Sequence, residues 1–104
     1  MERKEILLLI KRDIKKVEPN ADIILYGSEA RGDSSSDSDI DLLILVDKEN
    51  LSYQDKAVIS DPLYHIELQT GVQISPIIYT HTQWNNRPFK TPFYINVMNE
   101  GVSL

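Results

Sequence analysis

Tyr26–Asp47 reads YGSEARGDSSSDSDIDLLILVD, and the fold follows from how this stretch is read. Gly27 marks a place where the chain can turn tightly. Ser28-Glu29-Ala30-Arg31 is expected to form a single helical turn with Ser28 at its cap, leaving backbone N–H groups free to meet an anion. Gly32–Ser38 is a polar loop rich in turn formers. Asp39–Asp47 then reads as a strand. Side chains two apart on a strand share a face, so Asp39 and Asp41 point one way while Ile40, Leu42 and Ile44 point the other.

Upstream, Glu2–Val17 is expected to be a helix, because Ile6, Leu9, Ile10, Ile14 and Val17 recur at helical spacing. Lys11, Arg12, Lys15 and Lys16 occupy its remaining face, and Leu7 and Leu8 widen the stripe, first as extra core and otherwise as a modest partner surface. Pro19 stops the helix. Ala21–Tyr26 (ADIILY) is then a short apolar strand of the kind buried on both faces.

Downstream, Asp47–Asn50 is a turn. Leu51–Thr70 is helical in its later part, with a break at Asp61-Pro62 that makes Pro62 the first helical residue. Leu63 and Ile66 face inward and Gly71 caps the end. Val72–Tyr79 is a third strand, with Pro76 pointing to an edge position or a bulge. Thr80–Asn86 forms a helical turn. Thr91-Pro92 opens a last helix, carrying Phe93, Tyr94, Val97 and Met98 and ending at Gly101. The fold class is therefore α/β (α+β), a small sheet packed by helices.

Two carboxylates on one strand face need a neutraliser. At about 4 Å and an effective dielectric near 20, they repel by roughly 4 kcal/mol. A protonated member, an intervening base or a metal would resolve this, and Mg²⁺ typically takes one or two carboxylates together with substrate phosphates. Gly27 lets a phosphate approach the backbone and Ser28 adds a hydroxyl. A calcium loop is excluded. Counting from Asp33 or Asp37 puts Ser38 or Leu42 where glycine is required, and Ile44 or Lys48 where glutamate is required. Arg31-Gly32-Asp33 is a coincidental adhesion tripeptide, His65 and His81 have no ligand spacing, and Trp84, Phe89, Phe93 and Tyr94 read first as core.

The whole composition fits one small domain over 1–104, at 41% apolar and 26% charged residues. A formal net charge of −5 opposes broad nucleic-acid binding, which needs clustered Lys and Arg. There is no cysteine for disulfides or thiolate sites. The apolar run Ile6–Ile10 is too short for a signal segment or a membrane span, so the expected location is cytoplasmic.

Gly27-Ser28, ten residues, then Asp39-Ile40-Asp41 resembles the GSx₁₀DxD signature of the DNA polymerase β nucleotidyltransferase superfamily. The fuller GSEARG…SDIDLLILVD is similar to its minimal nucleotidyltransferases (MNT), the antitoxin half of HEPN/MNT toxin–antitoxin pairs. The resemblance follows the element order from Ile6 to Tyr79 and is tight over Tyr26–Asp47. It implies a mixed sheet and transfer of a nucleoside monophosphate, AMP from ATP with Mg²⁺, to a protein such as a small helical HEPN-type partner. It also implies that Asp39 and Asp41 are catalytic metal ligands and that Gly27 and Ser28 hold the terminal phosphates. Arg31 would contact phosphate or, the favoured role, pair with a loop aspartate. Members that modify small molecules carry a further substrate domain, for which this chain is too short. Active members also carry a third acid on the next core strand. Here Gln73 takes that place with Ser75 on the same face, and Glu67 is the nearest acid that could substitute. An inactive binding protein of the same fold is thus the alternative.

Overall fold

The computed structural model describes residues 1–35, 37–87 and 89–104, so position 36 of the expected Gly32–Ser38 loop lies outside the described residues. The elements run α1 (Arg3–Val17), β1 (Asp22–Tyr26), α2 (Ser28–Arg31), β2 (Ile40–Val46), α3 (Tyr53–Thr70), β3 (Ile74–Thr80), α4 (His81–Asn85), α5 (Pro92–Glu100) and β4 (Val102–Ser103). The four strands form one mixed sheet in the order β3-β2-β1-β4. β1 pairs antiparallel with β2 and β4, and β2 pairs parallel with β3.

β2 is the centre, and every residue of it except Asp41 is buried. Its alternation divides the core in two. Ile40, Leu42, Ile44 and Val46 join Ile23 and Leu25 beneath Ile6, Ile10 and Ile14 of α1 and Ile59, Leu63 and Ile66 of α3. Leu43 and Leu45 face the other way, against Trp84 and Val97, with Ile24, Tyr26, Ile77, Tyr79, Phe93 and Tyr94 around them. β1 is fully buried only at Ile23 and Leu25, so its second face is less covered than a doubly buried strand requires.

The aromatic groups close the second layer. Trp84 lies 4.8 Å from Tyr94 and 5.9 Å from Phe93, which meets Tyr26 edge-on at 5.2 Å. The Arg87 guanidinium covers Trp84 at 4.6 Å, a favourable cation–π contact. Phe89 does not join them, since it is 79% exposed. On α1, Leu7 packs against the core but Leu8 is exposed, so the widened stripe is core on one side only.

α3 differs from the sequence reading. It starts at a capping box in which the Ser52 hydroxyl accepts from Asp55 N–H and the Asp55 carboxylate accepts from Ser52 N–H. It then runs through Pro62 without a break and ends on Gly71, whose φ of 75° is left-handed. Ile59 lies before the proline and Leu63 and Ile66 after it, and burial on both sides holds the helix in one piece. Val58, whose carbonyl loses its partner, is exposed and open to water.

β3 is an edge strand without a bulge, paired in unbroken register from Ile40↔Ile74 to Val46↔Thr80. Gln73 O accepts from Ile40 N–H at 2.9 Å. Alternation therefore turns the backbone groups of Ile74, Pro76, Ile78 and Thr80 outward. The Ile74 N–H donates to Glu67 Oε1 at 2.6 Å and the Thr80 N–H to Gln83 Oε1 at 3.0 Å. Pro76 has no N–H.

An interior proline costs a helix about 3 kcal/mol against alanine, partly offset by about 0.4–1 kcal/mol through the stiffer unfolded chain. Pro62→Ala should stabilise the fold by about 2–2.6 kcal/mol in urea unfolding. An unchanged or lower midpoint would mean that the proline is fully accommodated.

Candidate active site

The site gathers where β1 ends and where β2 and β3 begin. β1 stops at Gly27, whose φ of 72° and ψ of −149° lie in a region that only glycine enters readily. Gly27, not Ser28, is the N-cap of α2, so the cap has no side chain and Ser28 is the first helical residue. The first-turn N–H groups of such a turn lack intrahelical partners. Gly32 closes the turn in a left-handed conformation, and the chain turns back into the loop with Asp33 N–H bonded to Ser28 O at 3.2 Å.

Gly27 has a second reason to be glycine. A Cβ there would lie 2.7 Å from Asp41 Oδ2. The turn and the central strand meet at this point, with Tyr26 opposite Asp41 in the antiparallel register. Asp41 is half-buried and Asp39, just before the strand, is exposed. Burial raises the Asp41 carboxyl above its ordinary range, and the charge of Asp39 raises it further. The Tyr26 hydroxyl is likewise raised, first by burial, then by Asp41 and then by Tyr79. A cation placed among these groups would oppose both shifts, because it favours the charged form of each.

On β3, Ser75 stands opposite Asp41. The ladder opens at Ile40↔Ile74, where Gln73 O accepts from Ile40 N–H, so Gln73 and Asp39 each lie one residue before it. The two aspartates thus have an amide and a hydroxyl for neighbours on their sheet face. Glu67 does not join them, because its carboxylate is held by Ile74 N–H on the outer edge of β3. Among the described residues no three acidic, cysteine or histidine side chains gather as a metal-binding set.

Magnesium fits what is there. Two carboxylates on one face, one of them raised by burial and then by the charge of the other, match an ion that takes few protein ligands and fills its shell with phosphate oxygens and water. Asp39 and Asp41 are the residues that would hold it. Because Gly27 carries no side chain, its backbone comes close to the Asp41 carboxylate, so a phosphate held by the turn would lie next to an ion held by the aspartates.

Sequence reasoning missed Arg3. Its guanidinium pairs with Glu29 of α2 and donates to Ser38 O at 2.7 Å, so α1 braces both the turn and the residue before Asp39. No local pattern signals a contact between partners 26 and 35 residues apart. Arg31 pairs with Asp33 at 3.4 Å and with Glu100 at 3.5 Å, all exposed, an arrangement worth about 0–1 kcal/mol. His81 is not isolated. It lies at the far end of the sheet, with Nε2 2.7 Å from Asp22 and Nδ1 3.8 Å from Asp47, joining the ends of three strands. His65 is exposed.

Residues 7–101 match the family described as nucleotidyltransferase domain. The chain is 40% identical over 106 residues, the full length of both, to the "Putative protein adenylyltransferase MJ0141" of Methanocaldococcus jannaschii. It is 37% identical over 79 residues, 76% of this chain and 72% of the other, to the "Putative protein adenylyltransferase MJ0604" of the same organism.

Two substitutions test the geometry. Gly27→Ala should cost about 1–3 kcal/mol through backbone strain and also displace the Asp41 carboxylate, a loss read in urea unfolding. Asp41→Asn should do the opposite in metal-free buffer. The folded chain holds the Asp41 proton more tightly than the unfolded chain, so stability falls as pH rises from the ordinary value of 3.8 through the raised one. The variant escapes that fall. Its melting temperature should exceed wild type at pH 7, with the gain vanishing below about 3.8. An equal or lower value at pH 7 would show that the ionised carboxylate is already compensated.

Proposed function

This chain belongs to the nucleotidyltransferase domain family, and on that premise we propose that it transfers AMP from Mg²⁺-bound ATP to a partner protein. The observation that carries the reading is the meeting of Gly27 with Asp41, where a cradle for phosphate and a carboxylate pair share one corner of the sheet. The names of its relatives support adenylyl transfer in particular. Gly27 and Ser28 seat the terminal phosphates, and Asp39 and Asp41 act as the catalytic metal ligands. Arg31 stays in its ion pairs with Asp33 and Glu100, contact with a phosphate being the other use of the same guanidinium.

In the reaction an acceptor oxygen attacks the α-phosphorus, and the bond to the β-phosphate breaks to release pyrophosphate. A bound Mg²⁺ would neutralise the phosphate charge and polarise the α-phosphoryl group. The protein's own part is to hold the triphosphate in place, since positioning and electrostatics carry phosphoryl chemistry. The acceptor is a small helical partner of HEPN type in a toxin–antitoxin pair, met in the cytoplasm. No described helix is long and apolar enough to cross a membrane.

Gln73 and Ser75 favour a second reading, in which the fold binds its partner and transfers nothing. The two separate cleanly. With [α-³²P]ATP, Mg²⁺ and the protein encoded by the neighbouring gene, the partner should become labelled. Asp39→Asn with Asp41→Asn should lower the labelling about a hundredfold or more. Labelling that persists in the double variant sinks the site. Binding and neutralisation of the partner that survive the double variant, without any labelling, select the second reading.

A further inference from the structure

Transfer to a hydroxyl releases a proton as well as pyrophosphate, and that proton needs a base. Among the described residues, the face that carries Asp39 and Asp41 offers no carboxylate or imidazole beyond the two aspartates, which the proposed reading gives to the metal. Across the parallel ladder Ser75 pairs with Asp41, Gln73 lies one residue before the ladder as Asp39 does, and adjacent strands are only about 4.8 Å apart. Neither an amide nor an alkyl hydroxyl is basic at neutral pH. Glu67 turns away to bond Ile74 N–H.

What Gln73 and Ser75 do offer is hydrogen-bond donors, an amide N–H₂ on an exposed residue and a hydroxyl on a half-buried one. A carboxylate in either place would repel an anion, whereas these donors attract it. The fit is to a nucleophile that arrives already ionised and has oxygens to spare. A phosphate group can attack through one oxygen while two others accept from Gln73 and Ser75. A carboxylate that attacks through one oxygen has one left.

We infer that the acceptor of this site is a phosphate group, held by Gln73 and Ser75, and not a neutral hydroxyl. The inference rests on the nucleotidyl-transfer reading and specifies its second substrate. A phosphate oxyanion attacks the α-phosphorus of ATP, and a new P–O–P bridge forms. The bridge between the α- and β-phosphorus breaks, and its electron pair leaves with pyrophosphate. No proton is abstracted from the acceptor. With inorganic phosphate the balance is ATP and phosphate giving ADP and pyrophosphate.

The full chain is tested with Mg²⁺-ATP and three acceptors: [³²P]orthophosphate, a phosphoserine peptide and the same peptide carrying serine. The expected result is label from orthophosphate in ADP, which simple hydrolysis cannot produce. The phosphopeptide should take [α-³²P]AMP at least about tenfold faster than the serine peptide, and Gln73→Asp should reverse that order. The Gln73 side-chain amide resonances should also move when millimolar phosphate is added with Mg²⁺ and without nucleotide. Equal or faster labelling of the serine peptide by wild type overturns the inference, as do amide resonances that stay in place. Labelling of only the serine peptide, and only by Gln73→Asp, overturns it while leaving nucleotidyl transfer intact. Silence in every arm, together with no heat on titrating Mg²⁺-ATP, removes the transfer reading as well. Silence with heat present removes the phosphate acceptor alone.

Discussion

Burying β2 on both faces is the constraint from which the rest of the structure follows. Six of its seven residues are removed from water, so helices must cover one side and an aromatic layer the other. The backbone groups of a strand so placed must be paired, and β1 and β3 supply the two ladders. A shift of one residue would exchange the isoleucine and leucine faces and drive the Asp41 carboxylate into the isoleucine core, so the register is strongly held. Asp41 sits on the one step of the strand where the cover is incomplete. The most completely buried strand of the fold therefore presents a carboxylate at its one open step.

That placement has an energetic cost which the surroundings absorb. Asp41 is raised by burial and by Asp39, and the backbone at Gly27 takes a conformation closed to other residues. Against these stand the packed isoleucines of α1, the continuous α3 and the Arg3–Glu29 pair that ties the first helix to the turn. Strain at a site and surplus packing elsewhere is the usual division in proteins that must hold like charges together.

Much of this was legible in the residues because it depends on short-range rules. Alternation within Asp39–Val46, the glycine before Ser28 and the threonine–proline start of α5 each report local geometry. The parts that were not legible depend on distant partners. Pro62 reads as a helix start until Ile59, Leu63 and Ile66 are seen to bury together across it. Ser28 reads as a cap until Asp41 is found pressing against Gly27. Arg3 is one of several basic residues on an amphipathic helix until the fold brings it to Glu29 and Ser38. Leu8 counts as core by spacing, and only the path of α1 across the sheet leaves it outside.

The bonds on the outer side of β3 bear on how this protein can associate with others. An open strand edge is a template on which another chain can pair, through its unpaired N–H and C=O groups. Glu67, Pro76 and Gln83 remove three of the four outward donors, leaving Ile78 alone. A foreign strand or a second copy of the chain would find one free donor on that side beside the outward carbonyls, so the edge is a poor template for extending the sheet. Association there then draws mainly on side chains, and its specificity on surface shape and charge.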